Sequence, residues 1–512
     1  MIRIGIDVGG TNTDAVLIEH GRVRHAVKCP TTEDVTSGIG AALAAVLAGG
    51  AMAPARVGAV MIGTTHFVNA VVQRRELSRI AAVRIGLPAA ATLPPFVDWP
   101  PALRAEVEGP VHMIRGGHEV DGREIVPFDR AAMREAARAI AGSGAAAAAI
   151  TAVFSPLNSA MEREAAEILA AACPGLPVTL SSDLGRIGLL ARENVALLNA
   201  ALTGLAARTV AAFRAALSAS GLTAPLFITL NDGTVATAEE AARAPVRAFA
   251  SGPTNSLRGA AHLSGIADAL VVDVGGTTTD VGSLMRGFPR EANGVVAVGG
   301  VRTLFRMPDV LSIGLGGGTL VDPADPTRIG PQSVGFRLRE RARVFGGPDL
   351  TCTDLAVAAG LAEIGERGRV AGLDRHFVAA GLARIHALVA DVVDRMRADP
   401  VQRPLVAVGG GAFLVPDTLH GVSEVVRVAN QGVANALGAA VAQVSGEVDR
   451  VWQDIPREAA LTRAREEAEQ RALRAGADPR SLQLVEIEDI PLAYLPGNAL
   501  RVRARVVGDI AA

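Results

Sequence analysis

The sequence predicts an α/β protein with two related halves, followed by a small C-terminal α+β appendage. Strand and helix patterns alternate along most of the chain, which is typical of α/β proteins. The octapeptide DVGGTNTD at residues 7–14 recurs as DVGGTTTD at residues 273–280, and the two copies differ only at Asn12 and Thr278. Each copy follows a short apolar run. The repeat therefore predicts two hairpins at equivalent places in two related halves.

The elements of the first half are predicted from apolar runs and from residues that start or stop helices. In order, they are a β-hairpin over residues 2–24, helix 32–48, strand 57–62, helix 69–75, an irregular Pro-rich stretch 88–110, a tight hairpin 115–123, helix 129–141, strand 145–153, helix 159–173 and strand 178–181. A long helix over 192–220 follows, and it is a candidate spine between the halves.

The second half continues the alternation of strands and helices. In order, we predict strand 225–230, helix 237–242, helix 251–265, the second hairpin, a glycine turn within 312–322, helices 353–361 and 376–398, strand 405–408 and helix 433–443. After residue 446 the composition shifts to a charged helix, 456–474, and paired strands within 482–507. The predicted divisions are therefore residues 1–175, 176–445 and 446–512.

The composition argues against several classes of function. The 512 residues are 49% hydrophobic with a formal net charge of −2, so nothing indicates a nucleic-acid partner or an anionic membrane surface. No apolar run reaches the roughly 18 residues of a transmembrane helix, and no signal peptide is recognised. Cys29, Cys173 and Cys352 lie far apart, without the spacing of a metal site. We therefore expect a cytoplasmic protein.

The chemistry of the repeated octapeptide suits a polyphosphate and a metal ion. Glycines let backbone N–H groups approach an anion closely, and hydroxyls supply further donors. An Asp at each strand end suits Mg²⁺, which prefers oxygen ligands, so Asp7 and Asp273 are the predicted metal ligands. Lys28 is the only lysine, which we attribute to base composition, and no glycine loop carries the lysine of a Walker-type P-loop. If the chain handles ATP, metal and backbone amides must carry the phosphate charge.

An ordered series of motifs over residues 2–445 identifies a resemblance to known proteins. The segments that carry it are Gly63-Thr64-Thr65, Asn69-Ala70, Asn199-Ala200, Asn231-Asp232-Gly233, Ser251-Gly252-Pro253, residues 273–280, residues 314–318, Thr353-Asp354 and Gly409-Gly410-Gly411. Their order resembles the superfamily of actin, Hsp70 chaperones and sugar kinases, in which two α/β lobes enclose ATP. In detail the series is similar to the ATP-binding A-type subunit of the hydantoinase/oxoprolinase family, as a short variant.

This resemblance implies a two-lobed, actin-like or sugar-kinase-like ATPase fold and an ATP- and Mg²⁺-dependent hydrolase. Such an enzyme phosphorylates the carbonyl oxygen of a cyclic amide, of the hydantoin or 5-oxoproline type, and so activates it for ring-opening hydrolysis. The resemblance also implies a small-molecule substrate, a B-type partner subunit and an oligomer, with no role for nucleic acid or membrane.

The predicted site residues fall into three groups. The nucleotide contacts are Gly9, Gly10, Thr11, Asn12, Thr13, Gly275, Gly276, Thr277, Thr278, Gly316, Gly317, Gly409, Gly410 and Gly411, the last three being the adenosine-contacting element. The substrate contacts are Thr64 and Thr65, and the catalytic residues are Asp7, Asp273, Asp232 and His66. Alternatives stay open at three places: Asp232 is either a turn residue or a general base, His66 is either structural or an acid/base group, and residues 314–318 either pack backbone or bind ligand.

The chain departs from the family pattern at several positions. Asp232 stands where the family often has Gly, and Thr254-Asn255-Ser256 stands where it has Ala-Gly-Gly. His66 replaces a small apolar residue, and the chain is shorter than the typical A subunit. The nucleotide site therefore carries over better than the substrate or partner interface.

Two other functions are compatible with the same motifs. The first is a small-molecule kinase of the sugar-kinase type, which releases a stable phosphorylated product. The second is an activator or chaperone-like ATPase. Scattered cysteines argue against an iron–sulfur activator, and no long substrate-binding β domain follows the predicted lobes.

Overall fold

The structure is a computed structural model that describes residues 1–9, 12–30, 35–493 and 497–511. Two predicted phosphate-loop residues, Gly10 and Thr11, lie outside these described residues. Strands and helices alternate and assemble into two lobes, each built on one main sheet. The predicted fold class, two α/β lobes that carry repeated hairpins, is confirmed.

The α-helices of the described residues occur in both lobes and in the C-terminal region. They are α1 (Val35–Gly49), α2 (His66–Gln73), α3 (Pro101–Val107), α4 (Arg130–Ala141), α5 (Ala160–Ala172), α6 (Leu189–Ala219), α7 (Ala238–Arg243), α8 (Ser251–Ser264), α9 (Leu338–Arg341), α10 (Cys352–Ala359), α11 (Arg375–Met396), α12 (Ala434–Val441) and α13 (Arg457–Arg474).

The β-strands of the same residues are mostly short. They are β1 (Ile2–Val8), β2 (Asn12–Glu19), β3 (Arg22–Pro30), β4 (Val57–Thr64), β5 (Ile80–Leu87), β6 (Glu108–Arg115), β7 (Ala147–Ala152), β8 (Val178–Leu180), β9 (Leu226–Thr229), β10 (Val235–Thr237), β11 (Ala269–Val274), β12 (Thr279–Met285), β13 (Phe288–Pro289), β14 (Val296–Val298), β15 (Val301–Thr303), β16 (Val310–Ile313), β17 (Thr319–Val321), β18 (Ile329–Ser333), β19 (Leu405–Val408), β20 (Val425–Arg427), β21 (Val444–Trp452), β22 (Gln483–Pro491) and β23 (Leu500–Gly508).

Each lobe is organised around a main sheet. The first sheet runs in the order β22-β23-β21-β10-β9-β4-β1-β2-β3, and the second in the order β13-β12-β11-β19-β20, with β16 also paired to β12. A parallel side sheet, β6-β5-β7-β8, belongs to the first lobe. The Pro-rich stretch predicted as irregular contains α3, and the predicted hairpin at 115–123 is a turn closed by a single bridge between His118 and Glu124.

The two repeated octapeptides occupy equivalent places in the two main sheets. Strand β1 pairs antiparallel with β2 and parallel with β4, and β11 pairs in the same way with β12 and β19. In register, Asp7 lies opposite Asp14, and Asp273 lies opposite Asp280. The relation between the halves, which the sequence shows only in the octapeptide, therefore extends to the pairing of three strands.

Helix α6 was predicted to be a spine between the halves, but it lies inside the first lobe. It contacts α1 on the side of the main sheet and β5, β7 and β8 of the side sheet, and most of its central residues are buried. By length and composition alone α6 and α11 could each cross a membrane, with mean hydropathies of 1.5 and 1.4. Within the protein, however, 67% of the apolar window of α6 is already buried, as in a core helix.

Helices α8 and α12 cross between the two main sheets at very short range. A Cβ atom at Gly438 would lie 1.8 Å from the carbonyl oxygen of Asn255, and one at Gly259 would lie 1.9 Å from that of Ala434. A Cβ atom at Gly5 of β1 would lie 2.0 Å from a carbonyl oxygen of α12. Glycine at these positions is therefore what allows α12 to lie on β1 and against α8.

The C-terminal segment after residue 446, predicted as a separate appendage, continues the first main sheet. Strand β21 pairs with β10 and β23, and β23 pairs with β22. Helix α13 packs on these strands through buried alanines at four-residue spacing: Ala460, Ala464, Ala468 and Ala472. The predicted boundaries at 175 and 445 cut through the first main sheet. Strands β9, β10 and β21–β23 come after residue 175 in the chain, but they belong to the same sheet as the N-terminal hairpin.

Replacement of Gly438 tests the helix crossing. In Gly438→Ala the new methyl group would overlap the carbonyl oxygen of Asn255, so we expect the free energy of unfolding to fall by roughly 1–3 kcal/mol. The matched control is Gly40→Ala in α1, where no atom lies within 4 Å of the added methyl group. There we expect a gain of roughly 0.5–1 kcal/mol, because Gly is unfavourable inside a helix. Denaturant titration measures both, and equal effects of the two substitutions would contradict the crossing described here.

Candidate functional site

The ends of the two hairpins meet at the crossing of α8 and α12. The Asn435 side chain donates from Nδ2 to Asp7 Oδ2 at 3.3 Å, and Ser256 Oγ lies 2.5 Å from Asp273 Oδ2. Ser256 Oγ also lies 2.6 Å from Asn435 Oδ1, so the four side chains form one continuous polar chain. One hydroxyl hydrogen cannot serve two acceptors, so this chain needs either a proton on Asp273 or a reversed Asn435 amide together with a proton on Asp7.

The carboxylates around this polar chain carry raised pKa values. Burial, followed by the charge of Asp14, raises the pKa of Asp7 from 3.8 to about 7. Burial raises the pKa of Asp280 to about 6, against the effect of a hydrogen bond from Ser312. Burial also raises the pKa of both Asp14 and Asp273. Buried carboxylates that repel one another in this way make the site suited to a cation.

A glycine of the neighbouring parallel strand makes room for each hairpin aspartate. Gly63 lies opposite Asp7 in the sheet, and a Cβ atom there would lie 2.9 Å from Asp7 Oδ1. Gly409 follows β19 with a φ of +90°, and its Cβ atom would lie 2.2 Å from Asp273 Oδ1. Both glycines belong to the predicted motifs, and each fixes the place of one aspartate.

The second loop offers hydrogen-bond donors to a ligand. The Gly275 N–H closes the turn by donating to the carbonyl oxygen of Thr278 at 2.9 Å. Among the described residues, no hydrogen bond uses the N–H groups of Gly276, Thr277 and Thr278 or the two threonine hydroxyls. In the first loop, Gly9 and Asn12 form the equivalent contact at 3.1 Å, and Thr13 is buried in β2. These donors suit the phosphate-binding role predicted for them.

Gly316 and Gly317 support the second loop and do not present amides to a ligand. The Gly317 N–H donates to the carbonyl oxygen of Gly275 at 3.0 Å, and the Gly318 N–H donates to that of Gly276 at 2.7 Å. The Gly316 N–H donates to a hydroxyl of its own turn. These bonds favour the packing role, which was the alternative left open by the sequence, and contact of these glycines with the nucleotide stays a prediction.

The predicted adenosine element offers a single free glycine. The Gly409 N–H donates to the carbonyl oxygen of Gln431 at 2.9 Å, and the Gly411 N–H donates to that of Val274 at 2.7 Å. Gly410 is exposed, and no atom lies within 4 Å of a Cβ atom placed there. Gly410 is thus the residue of this element that is open to a ligand.

The residues after β4 lie at the end of that strand and the start of α2. Thr64 is buried, its carbonyl oxygen accepts from Ser251 Oγ at 2.8 Å, and its hydroxyl accepts from the N–H of His66. Thr65 precedes α2, and its hydroxyl accepts from Asn69. His66 Nε2 lies 3.6 Å from a carboxylate oxygen of Glu76. No contact of the described residues joins His66 to the aspartates, so its catalytic role stays a prediction.

Asp232 belongs to an ion-pair network instead of the hairpin site. Its carboxylate accepts from the N–H and the hydroxyl of Thr234 and pairs with Arg505 of β23 at 3.3 Å. Burial raises the pKa of Asp232, but Arg505 and Arg306 outweigh burial and leave that pKa below its usual value. A paired carboxylate of lowered pKa is a poor proton acceptor, so this geometry favours a structural role for Asp232, and its role as a general base stays a prediction.

Four side chains lie at the site that the motifs did not predict: Asn255, Ser256, Asn435 and Lys28. Asn255 and Ser256 depart from the family pattern, and that departure was a usable signal. Asn435 is a polar residue in the otherwise apolar helix α12. Lys28 of β3 lies 2.5 Å from Asp14 Oδ2, and its uniqueness was noted but attributed to composition.

The side chains at the site fit a Mg²⁺ ion that is held partly by the protein and partly by a bound phosphate compound. Among the described residues, no group of three or more His, Cys, Asp or Glu side chains could hold a metal ion by itself. Mg²⁺ commonly takes one or two carboxylates and completes its shell with water and phosphate oxygens. Asp7 and Asp273 fit that pattern, and the Oδ1 atom of Asp14 is buried without a hydrogen-bond partner in the described structure.

Comparison with protein families gives two matches that together cover most of the chain. Residues 3–173 match the hydantoinase/oxoprolinase N-terminal region, and residues 192–367 match the hydantoinase/oxoprolinase model. Among curated proteins, the chain is 27% identical over 391 residues to caprolactamase subunit alpha of Pseudomonas jessenii, covering 70% of this chain and 54% of that protein. It is 28% identical over 394 residues to the acetophenone carboxylase gamma subunit of Aromatoleum aromaticum, covering 70% and 53%. The chain thus matches about half the length of these relatives.

Two solved structures share the two-lobed fold described above. The ATP-dependent caprolactamase from Pseudomonas jessenii aligns with a TM-score of 0.77 and 20% identity, covering 99% of this chain and 88% of that one. A nucleotide-free acetone carboxylase aligns with a TM-score of 0.69 and 19% identity, with the same coverages. At these identities the likeness concerns the fold alone.

The raised pKa of Asp7 predicts a pH-dependent stability in metal-free buffer. Between about pH 4 and 7 the unfolded chain loses the Asp7 proton while the folded chain keeps it, so the free energy of unfolding falls as pH rises through this window. In Asp7→Asn that contribution is absent. We expect the thermal midpoint of the wild type to fall more between pH 5 and 8 than that of the variant. Identical pH profiles would contradict the buried, protonated Asp7.

Replacement of Asp232 distinguishes a role as a general base from a role in a structural ion pair. In Asp232→Asn we expect a loss of stability below the roughly 3–5 kcal/mol of a fully broken buried pair, because Arg505 loses Asp232 but keeps Glu486 at 3.4 Å. Turnover per folded molecule should change little. Measurement of kcat beside denaturant unfolding distinguishes the two roles, since loss of a general base lowers kcat by about 10²–10⁴.

Proposed function

The chain belongs to the hydantoinase/oxoprolinase family, and from this premise we propose that it is an ATP- and Mg²⁺-dependent enzyme acting on a cyclic amide. The observation that carries the proposal is the polar chain from Asp7 to Asp273 beside the free donors of the second loop. A site of this kind joins a place for a cation to a place for phosphate.

The proposed reaction overcomes the poor reactivity of an amide. The carbonyl oxygen of the cyclic amide attacks the terminal phosphorus of ATP, and ADP leaves. Water then adds to the carbon of the resulting imidate phosphate, and the ring nitrogen leaves as the amine, which opens the ring to an acyl phosphate. A second water hydrolyses the acyl phosphate to an amino acid and phosphate. Phosphorylation of the oxygen makes the amide carbon a better electrophile for water, so the protein mainly has to position the reactants and neutralise charge.

Each part of the site has a distinct task in this proposal. Mg²⁺, when bound, would neutralise charge on the phosphates, and Asp7 and Asp273 would hold it. The amides of Gly276, Thr277 and Thr278 would donate to phosphate oxygens. Gly410 would lie along the adenosine. The Asn435 and Ser256 side chains would orient the two aspartates, because each hydrogen bonds to one of them.

A partner subunit is part of the proposal. The two relatives named above are an alpha and a gamma subunit, and the chain matches about half of their length. We therefore propose that a B-type subunit supplies the hydrolytic half of the reaction, in an oligomeric assembly. Thr64 and Thr65 are proposed as the substrate-side end of the cleft, and a cytoplasmic location stays a prediction.

The direct experiment is product analysis with Mg-ATP. The chain is incubated with hydantoin, 5-oxoproline, caprolactam and a set of sugars, with and without a co-expressed B-type subunit. Ring opening coupled to phosphate release is the expected result. A stable phosphosugar would replace the proposal with a small-molecule kinase, and substrate-independent ATP hydrolysis would indicate an activator ATPase.

Loss of a metal aspartate should abolish this activity. In Asp273→Asn we expect ATP turnover to fall at least ~100-fold, the scale observed when one electrostatic stabiliser is removed from an active site. Asp391→Asn, an exposed position on α11, is the control and should leave the rate unchanged. Full turnover in a folded Asp273→Asn protein would overturn the assignment of the metal site.

A further inference from the structure

The two halves of the site differ at one equivalent position. Strand β3 lies beside β2, and there Lys28 is opposite Asp14. Strand β16 lies beside β12 in the same way, and there Ser312 is opposite Asp280. Each of these side chains contacts its aspartate, and the Lys28 Nζ atom lies 2.5 Å from Asp14 Oδ2. The first half thus carries a cation where the second half carries a hydroxyl.

Lys28 is the only lysine among the 50 Lys and Arg residues of the chain. Arginine replaces lysine at every other basic position, so position 28 uses a residue that the sequence otherwise avoids. The two side chains differ physically, because the ammonium is a compact charge on a flexible stem and the guanidinium is a rigid planar fork. The side chain of Lys28 is 41% exposed, so it can reach a ligand while it stays next to Asp14.

Among the described residues, the pair of Lys28 with Asp14 is the only ion pair that the four site carboxylates form. Lys28 opposes the raised pKa of Asp14 and of Asp273, and no cationic side chain opposes that of Asp7 or Asp280. Within the described part of the chain, the site therefore has one cation paired with its carboxylates, and it lies on the side of the first loop. The terminal phosphate of a bound nucleotide carries more charge than the inner ones, so it is the group that gains most from this position.

We propose that Lys28 binds the terminal, transferable phosphoryl group and that Asp14 is the positioning residue that holds its ammonium at the cleft. This assigns the first loop to the terminal phosphate and the second loop, with Ser312, to the inner phosphates. The inference rests on the proposed ATP-dependent function and extends it to a cation that the nucleotide motifs do not contain.

The test compares two nucleotides that differ by the terminal phosphate. Calorimetric titration of the full chain with a non-hydrolysable ATP analogue and with ADP, both with Mg²⁺, measures the two affinities. In Lys28→Met we expect affinity for the analogue to fall about tenfold or more, the scale of one charge-assisted hydrogen bond, and affinity for ADP to change less than about threefold. Lys28→Arg keeps the charge and should retain more of the analogue affinity than Lys28→Met.

Four further variants complete the design. Arg24→Met removes an exposed cation from the same strand and should leave both affinities unchanged. Ser312→Ala changes the equivalent position of the second half and should affect the two nucleotides alike. Asp14→Asn removes the charged partner of Lys28, so it should lower the affinity for the analogue more than the affinity for ADP. Asp14→Glu should restore part of the lost affinity.

The outcomes separate this inference from the proposed function. If the wild type binds both nucleotides and Lys28→Met binds them as well as the wild type does, the role of Lys28 is refuted and the ATP-dependent function stands. An equal loss for the analogue and ADP also refutes the role, because it shows no preference for the terminal phosphate. If the wild type binds neither nucleotide, the proposed function fails, and this inference fails with it.

Discussion

Two buried carboxylates at facing strand ends are the constraint on which the rest of the site depends. Asp7 and Asp273 lie at the same point of the two halves, and burial makes the ionised form of each unfavourable. This cost is partly offset by Asn435 and Ser256, whose side chains form hydrogen bonds to the two aspartates and to each other. Such hydrogen bonds lower the cost of burial but do not remove it, and the remainder favours a bound cation.

Close packing of two helices is what brings the bridging side chains to that point. Ser256 lies on α8 and Asn435 on α12, and the two helices approach until a methyl group at Gly259 or Gly438 would overlap backbone. Without that approach, side chains as short as serine and asparagine could not join the two aspartates. Glycines outside the hairpins thus determine the chemistry of the site as much as the glycines inside them.

The fold could be predicted from sequence further than the site could. Hairpins and strand ends are local patterns, so Asp7 and Asp273 were identified from the repeat. The contact between Ser256 and Asn435 joins residues 179 positions apart and arises from a helix crossing that no local pattern encodes. The composition does change after residue 446, where a charged segment follows. Composition does not show, however, that the strands of this segment pair with the edge of the first main sheet. The C-terminal strands were therefore misplaced.

Asp232 shows how a departure from a family pattern can have a distant structural cause. The position is one where the family often carries glycine, and a carboxylate at a turn next to predicted motifs suggested catalysis. In the structure its partner is Arg505, which belongs to the C-terminal strand β23 of the same sheet. Arg505 also pairs with Glu486 of β22 at 3.4 Å, so Asp232 is one of two carboxylates that compensate this buried cation. The carboxylate at 232 is thus explained by the strand that carries Arg505, and the C-terminal strands are an integral part of the first lobe.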